Sequence, residues 1–368
     1  MKSLLFLLII LILGLKFYSV QFLATIFVIS FLIFFHELGH FLAAKSLGVR
    51  VEIFSIGFGK ALFEKEFKNT KYRLSALPLG GYVKLKGQDD LNPALRNYDK
   101  DSYGSLHAWQ KIYILFAGPF FNLFLAFLLY IAIANLGLEK ASAKIGFIAP
   151  NSAAQEIGLL EGDIIKSING VKIQSFDEIP ALLTPNALII EIQREEKNLN
   201  LLITPKTGQG YNEFGQIVPK LQLGIAPSNE KISVSYTGLQ SLSYALDESI
   251  KASTLIIKGL FKLIAGDIEA KNLGGIITMV DITSKAAEIS LSWLLFITAL
   301  ISINLGILNL LPIPMLDGGH ILFNLYSLIF KKEVPQKAFE YLSYSGMALL
   351  LSLMLFATFN DIIRLMQN

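Results

Sequence analysis

The feature that most constrains this chain is an uncharged apolar segment that runs directly into a pair of histidines. Ser19 to Phe35 contain no charged side chain, and His36-Glu37-Leu38-Gly39-His40 follows at once. A helix here would hold ionisable groups in lipid or inside a membrane bundle, where they are costly and usually functional. Because His36 and His40 are one turn apart, they can bind one Zn²⁺, with Glu37 as a general base toward the attacking water.

The composition indicates an integral membrane protein. Of the 368 residues, 53% are hydrophobic and only 17% are charged, and the mean hydropathy is +0.54. A net charge of +3 is too small to indicate nucleic acid, so the partner implied by composition is the lipid bilayer. The chain has no cysteine, which excludes thiolate metal ligands, a cysteine nucleophile and disulfides.

The order of apolar and polar segments predicts a polytopic α-helical membrane protein with about four transmembrane helices, a membrane-associated β segment and one inserted β-rich domain. The predicted segments are an apolar extension and the first transmembrane helix (1–47), a β segment and loop (48–107), the second transmembrane helix (108–137), the β-rich domain (141–227), an amphipathic helix and linker (236–286), the third transmembrane helix (288–317), a loop (318–340) and the fourth transmembrane helix (341–365).

Several of these segments carry local signals of their own. Val49 to Lys86 alternates apolar and polar residues and is interrupted by glycines, which predicts short strands and hairpins. Asn169-Gly170 predicts a tight hairpin turn, and Leu273 to Ile277 predicts a flexible joint before the third transmembrane helix. Asn122, inside the second transmembrane helix, has two interpretations: a hydrogen bond to a neighbouring helix, or direct chemistry. Ser3 to Leu15 is apolar, but it is short for a separate membrane helix.

The distribution of charge predicts an orientation in the membrane. From Lys45 to Lys111 there are 12 Lys and Arg residues against 7 Asp and Glu, whereas from Glu139 to Lys231 there are 9 against 11. The positive-inside tendency therefore places the first segment in the cytoplasm and the β-rich domain outside it. The ends of the first and third transmembrane helices that carry His36, His40 and Asp317 would then lie toward the cytoplasm.

A catalytic zinc usually has three protein ligands, so one ligand must come from outside the H-E-x-x-H sequence. The remaining histidines are His107 and His320, and Asp317 is the only acidic residue between Glu288 and Glu333. Pro312 and Pro314 break the helix just before Asp317, where irregular backbone is tolerated only if it is buried in protein or lines a wet cavity. Asp317 is the best carboxylate, and His320 stays open as an alternative.

These motifs together resemble the site-2 protease family of intramembrane zinc metalloproteases, in particular its bacterial RseP-type members. The matching sequences are His36-Glu37-Leu38-Gly39-His40, the run from Asn309 to Gly319, Ser55 to Gly59 and Leu79 to Lys84 of the β segment, and Ala117 to Asn122 of the second helix. The runs from Ala149 to Ala154 and from Glu161 to Ile165, with Ile168-Asn169-Gly170, resemble a PDZ domain.

The resemblance implies a zinc metalloendopeptidase in which Asp317 is the third zinc ligand. Asn304 and Asn309 match asparagines that contact the unwound substrate backbone in the family. The implied substrates are single-pass transmembrane proteins, such as anti-sigma factors or remnant signal peptides, after a site-1-type protease has removed their external part. The implied location is the bacterial inner membrane, with the PDZ-like domain periplasmic. The chain departs from the RseP-type pattern in having one PDZ-like domain where that pattern has two in tandem, and in having Gly274-Gly275-Ile276 where that pattern has Gly-Pro before the third transmembrane helix.

Two other classes of function compete with a protease. A catalytically silent membrane scaffold would use the PDZ-like domain to bind partners, but it would not need Glu37 and a complete set of ligands. A zinc transporter or metallochaperone would need further histidines or carboxylates along the membrane path, and the apolar segments contain few.

Overall fold

The computed structural model describes residues 20–88 and 97–367; the predicted extension at Ser3 to Leu15 lies outside them. Its helices are α1 Val20–Ser46, α2 Ala108–Leu136, α3 Ala153–Glu156, α4 Leu239–Ala265, α5 Ile276–Ile289, α6 Leu291–Asn309, α7 Asp317–Phe330 and α8 Gln336–Gln367. Its strands are β1 Val51–Phe67, β2 Thr70–Leu85, β3 Leu138–Ala141, β4 Ile145–Ile148, β5 Ile164–Ile168, β6 Val171–Lys172, β7 Leu188–Arg194, β8 Lys197–Ile203, β9 Lys206–Tyr211, β10 Ile217–Gln222, β11 Ile225–Pro227 and β12 Lys231–Val234.

Four of the described helices are long and apolar enough to cross a membrane. They are Leu23–Ser46 of α1, together with α2, α6 and α8. Backbone contacts divide the chain into two compact units: one reaches Tyr130 and resumes at Ala245, and the other is Ile131–Tyr244. The four helices therefore contribute most or all of their length to the first unit.

The first unit is held together by small and branched apolar side chains. Val28 and Leu32 of α1 are buried with Leu125 of α2, and residues of α6 pack against them. Ala43 and Ala44, near the end of α1, are buried with residues of β1, β2 and α2. Small residues let helix backbones approach closely in a membrane, where packing rather than the hydrophobic effect drives association.

The β segment folds back on itself to place four strand segments in one sheet. Residues 53–56 of β1 pair both with 71–74 and with 81–84 of β2, while 61–67 pair with 70–75. β1 bends at Gly57 and Gly59, which have φ values of +87° and +85° that favour glycine. The glycine interruptions in the sequence therefore correspond to bends in two long strands.

The connection after α6 differs from the sequence prediction in two respects. The third helix ends at Asn309, so the prediction that it continues to residue 317 is wrong, and Asp317 is the first residue of α7. The prediction of a loop at 318–340 is also wrong, because α7 continues to Phe330. Physically, Pro312 and Pro314 interrupt the helix, and the apolar run after Asp317 is long enough to form a new one but too short to cross a membrane.

Asp361 of α8 accepts three backbone hydrogen bonds from the segment Leu273 to Thr278, where the sequence predicts a flexible joint. Gly275, the N-cap of α5, has no side chain to cap the helix. The buried carboxylate of Asp361 substitutes for it by accepting hydrogen bonds from the backbone N–H groups of Gly275, Ile277 and Thr278 at 3.0, 3.0 and 3.1 Å. A carboxylate at a helix N-terminus satisfies orphan donors and complements the helix dipole, so the Gly-Gly sequence here marks a close contact. These hydrogen bonds hold the start of α5 against α8, and the flexibility of this joint stays a prediction.

The second unit is a small β-rich domain with its own core. A four-stranded sheet has the order β6-β5-β7-β8, and three further strand pairs join β9 to β10, β4 to β11 and β3 to β12. The hairpin turn predicted at Asn169-Gly170 is confirmed between β5 and β6, with φ values of +48° and +79°. Alternate residues of the sheet, among them Ile190 and Ile192, are fully buried in the core.

A buried ion pair closes one end of this sheet. Asp163 is 1% exposed, and both of its carboxylate oxygens accept hydrogen bonds of 2.8 Å from Arg194. Burial alone would raise the pKa of Asp163, but the Arg194 guanidinium and the Leu160 N–H hold it below its usual value. The Asp163 carboxylate is therefore ionised and serves as the structural partner of Arg194 within the second unit.

Candidate metal centre

The metal centre begins with two histidines on one face of α1. His36 is buried at 8% exposure, and its Nε2 atom lies 3.1 Å from the Nε2 atom of His40. The α-helical spacing of four residues produces this proximity, as the sequence predicts. Both imidazoles therefore direct the same ring nitrogen to one point.

The ring of His40 is oriented by the backbone of α2. Its Nδ1 atom lies 2.8 Å from the carbonyl oxygen of Ile114. A carbonyl only accepts hydrogen bonds, so Nδ1 must carry the proton and, in the neutral ring, Nε2 has the free lone pair. Hydrogen bonding at the other ring nitrogen is the usual way in which a metal-binding histidine is oriented.

Asp317 of α7 completes the group. Its Oδ2 atom lies 3.2 Å from Nε2 of His36 and 3.5 Å from Nε2 of His40, and it is buried without a hydrogen-bond partner. His320 contacts the rings of Phe323 and Phe339 instead. The structure therefore brings Asp317, and not His320, to the two histidines.

These three residues suit zinc. Two imidazole nitrogens and a carboxylate oxygen form a donor set that catalytic zinc commonly uses. Tetrahedral ligands at about 2.0 Å from a metal lie about 3.3 Å from one another, and the three separations here are 3.1, 3.2 and 3.5 Å. Closely spaced lone pairs repel one another, and a metal cation among them would remove that repulsion. No other three His, Asp or Glu side chains converge in this way within residues 20–88 and 97–367.

Glu37 faces a small cavity next to this group. The cavity has a volume of about 210 Å³ and is lined by His36, Glu37, His40 and Asp317, with Asn309 and the β2 residues Tyr82 and Val83 among the others. Val83 lines the cavity from β2, opposite the helix that carries Glu37. Asn304, five residues before Asn309 on the same helix, is not one of the cavity's lining residues. Of the two predicted asparagines, the structure brings only Asn309 to the cavity.

Gly118 of α2 allows the two histidines to sit where they do. A Cβ atom at Gly118 would lie 2.3 Å from Nε2 of His40 and 2.9 Å from Cε1 of His36, and one at Gly39 would lie 2.3 Å from the carbonyl oxygen of Ala117. The two helices therefore cross at a pair of glycines in direct contact with the site. The sequence alone did not indicate this role for Gly118. Glycine and proline are common in membrane helices, so Gly118-Pro119 gave no sign of a contact with the histidines.

We expect Gly118→Ala to lower zinc affinity strongly, because the added methyl group displaces both imidazoles. Zinc bound per chain after dialysis against a weak chelator measures the effect in purified full-length protein. Leu128→Ala is the matched control, since Leu128 lies on the same helix and is 40% exposed. Retention of wild-type zinc affinity by Gly118→Ala would contradict this account of the helix crossing.

A helix that can cross a membrane thus carries two histidines and a glutamate, and Asp317 of α7 joins the histidines in a group suited to zinc. This is the arrangement of a membrane-embedded zinc metalloprotease. Residues 24–353 match Peptidase family M50, and the chain belongs to this family, that of the site-2 proteases named above from its motifs. The protein is accordingly a zinc metalloprotease of the membrane.

Relatives of known name agree with this class. A Campylobacter jejuni protein named "Putative zinc metalloprotease Cj1068" is 70% identical over 99% of both chains. A Helicobacter pylori protein named "Putative zinc metalloprotease" is 40% identical over 94% of this chain and 100% of its own length. The regulator of sigma-W protease RasP of Bacillus subtilis is 27% identical over 93% of this chain and 98% of its own.

Proposed function

We propose that this protein hydrolyses peptide bonds within the transmembrane segments of single-pass membrane proteins. The observation that carries the proposal is the position of the metal group, which lies where apolar helices α1 and α2 cross and where α7 begins. A protease with its site among membrane helices acts on chains that share the membrane. The apolar composition of those helices supports the same substrate class.

Each residue of the site has a role in this proposal. His36, His40 and Asp317 hold the zinc ion, which activates water and polarises the scissile carbonyl when bound. Glu37 takes a proton from the attacking water on its carboxylate and then delivers it to the leaving amide nitrogen. The position of Glu37 in the lining of the same cavity as the proposed ligands supports this role.

Substrate positioning falls to the asparagines of α6. A transmembrane segment must unwind before its backbone can be attacked, and its freed N–H and C=O groups then need polar partners. The side-chain amide of Asn309 offers both a donor and an acceptor at the cavity. We include Asn304 on the resemblance alone, as a contact farther along the substrate.

We place the protein in the bacterial cytoplasmic membrane, with the site toward the cytoplasm and the segment 141–227 outside. The basic segment between Lys45 and Lys111 supports this orientation by the positive-inside tendency. We also propose that segment 141–227 is a PDZ-like domain that contacts incoming substrates, and that a separate protease first removes the external part of those substrates. The name of the Bacillus subtilis relative, a regulator of sigma-W protease, supports an anti-sigma factor as one substrate type.

The competing functions have less support. A silent scaffold does not require a glutamate at the metal cavity. A zinc transporter requires successive binding groups along its path, whereas the described part of the chain holds a single group of three ligands.

The test is cleavage in reconstituted proteoliposomes containing the full-length protein and a single-pass substrate with a short external part. We expect the new termini, mapped by mass spectrometry, to lie inside the apolar segment, and activity to disappear with chelator and return with zinc. A soluble unfolded protein is the comparison substrate. Cleavage confined to the polar flanks, or equal cleavage of the soluble protein, would refute intramembrane proteolysis while leaving a zinc protease in place.

A further inference from the structure

Asn122 of α2 is a fully buried amide that meets the other ring nitrogen of His36. Its side chain has no solvent exposure, and its Nδ2 atom lies 3.3 Å from Nδ1 of His36. Its Oδ1 atom is also buried and has no hydrogen-bond partner. In this orientation the amide presents a donor to His36 and leaves its buried acceptor oxygen without a hydrogen-bond partner, and that arrangement needs an explanation.

The chemistry of His36 supplies the explanation. Its Nε2 atom faces His40 and Asp317, so a neutral ring that presents a lone pair there must carry its proton on Nδ1. That N–H needs an acceptor, and an amide nitrogen is not one. Turning the Asn122 amide by 180° exchanges Oδ1 and Nδ2, which brings the unpaired oxygen to the proton of His36.

We propose that Asn122 is a positioning residue for the zinc site, with Oδ1 accepting a hydrogen bond from Nδ1–H of His36. This inference rests on the proposed role of His36 as a zinc ligand. The bond holds the ring in the tautomer whose Nε2 lone pair faces the metal and fixes its rotation. Ile114 does the same for His40 through its backbone carbonyl, so both histidines take their second hydrogen bond from α2.

A purely structural role for Asn122 makes a different prediction. The backbone carbonyl of Asn122 accepts a 2.7 Å hydrogen bond from the hydroxyl of Ser302 on α6, which already ties the two helices together. If Asn122 only joined helices, its side chain would affect stability and leave the metal unaffected. If the Asn122 side chain orients His36, removing its acceptor oxygen must lower the zinc affinity and change the geometry of the metal ligands.

The experiment compares Asn122→Leu and Asn122→Asp in purified full-length protein, by competition for zinc with a chromophoric chelator. Leu has a similar size and no acceptor, so we expect zinc affinity to fall about 10- to 100-fold, the usual effect of losing an outer-shell partner. Asp retains an acceptor oxygen and should keep affinity close to that of wild type. Ser302→Ala, which removes the interhelical hydroxyl, is the control and should bind zinc as wild type does.

A second readout is the visible absorption spectrum of the Co²⁺-substituted protein, which reports the ligand geometry without any activity measurement. We expect the spectrum to change in Asn122→Leu and to be restored in Asn122→Asp. If Asn122→Leu does not fold, Asn122→Ala removes the acceptor without adding bulk, and the same loss is expected.

Wild-type affinity and spectrum in Asn122→Leu would overturn the proposal, and so would an equal loss in Asn122→Leu and Asn122→Asp. Failure of the assignment of His36 as a zinc ligand is distinguishable, because then His36→Ala itself would leave zinc binding intact. Failure of intramembrane proteolysis would appear in the cleavage assay and leave these zinc affinities unchanged.

Discussion

Replacing Glu37 by Gln should leave the protein with its full complement of zinc and reduce its cleavage of a transmembrane substrate by at least about 100-fold, the typical contribution of a general base. Glutamine has the same shape as glutamate but cannot take a proton from water. Zinc is retained because Glu37 lines the cavity beside the proposed ligands without being one of the three converging groups. Zinc content and cleavage rate in proteoliposomes measure the two effects separately.

The matched control is Glu52→Gln, on β1, whose carboxylate pairs with Lys84 near the surface and should not affect the rate. Cleavage by Glu37→Gln at the wild-type rate would remove Glu37 from the mechanism. Loss of zinc together with loss of cleavage would instead make Glu37 part of the metal-binding set.

Replacing Asp317 by Ala should remove most of the bound zinc, because two imidazoles alone hold a catalytic zinc poorly. The loss should exceed the roughly 10- to 100-fold weakening expected for outer-shell residues such as Asn122. His320→Ala is the control on the same helix, and it should keep its zinc because the structure places that ring against Phe323 and Phe339. Chelator competition on the purified proteins compares the two variants directly.

The opposite pattern, with zinc lost in His320→Ala and kept in Asp317→Ala, would transfer the third ligand to His320. Equal retention in both variants would require a different third ligand, and the cavity beside Asp317 would then have to be reinterpreted.

The sequence was most informative where a function depends on local spacing. His36 and His40 meet because four residues make about one helical turn, and four apolar segments are visible without any structure. The sequence was less informative about the course of the chain after a helix ends. The two prolines after Asn309 predict an end to the helix, but not that Asp317 begins a new one or that α7 replaces a loop.

Contacts between distant segments could not be predicted from the sequence, because local residue types do not show which segments meet. Nothing local distinguishes Gly118 from any other glycine of a membrane helix, or tells that Gly275 is capped by Asp361 from 86 residues away. The interpretation of Asn122 as a side-chain contact between helices is confirmed, because its amide meets His36 on α1. The sequence did not show that the residue it meets is one of the proposed zinc ligands.

By itself, then, the sequence determined that this is a membrane protein and that two histidines and a glutamate lie within one helical turn, since composition and helical periodicity are properties of a continuous chain. Only the tertiary structure decided that Asp317 rather than His320 reaches the histidines, that two glycines make room for them and that Asn122 lies behind one of them. Those relations depend on how α1, α2 and α7 cross, and a crossing is set by the packing of side chains far apart in sequence.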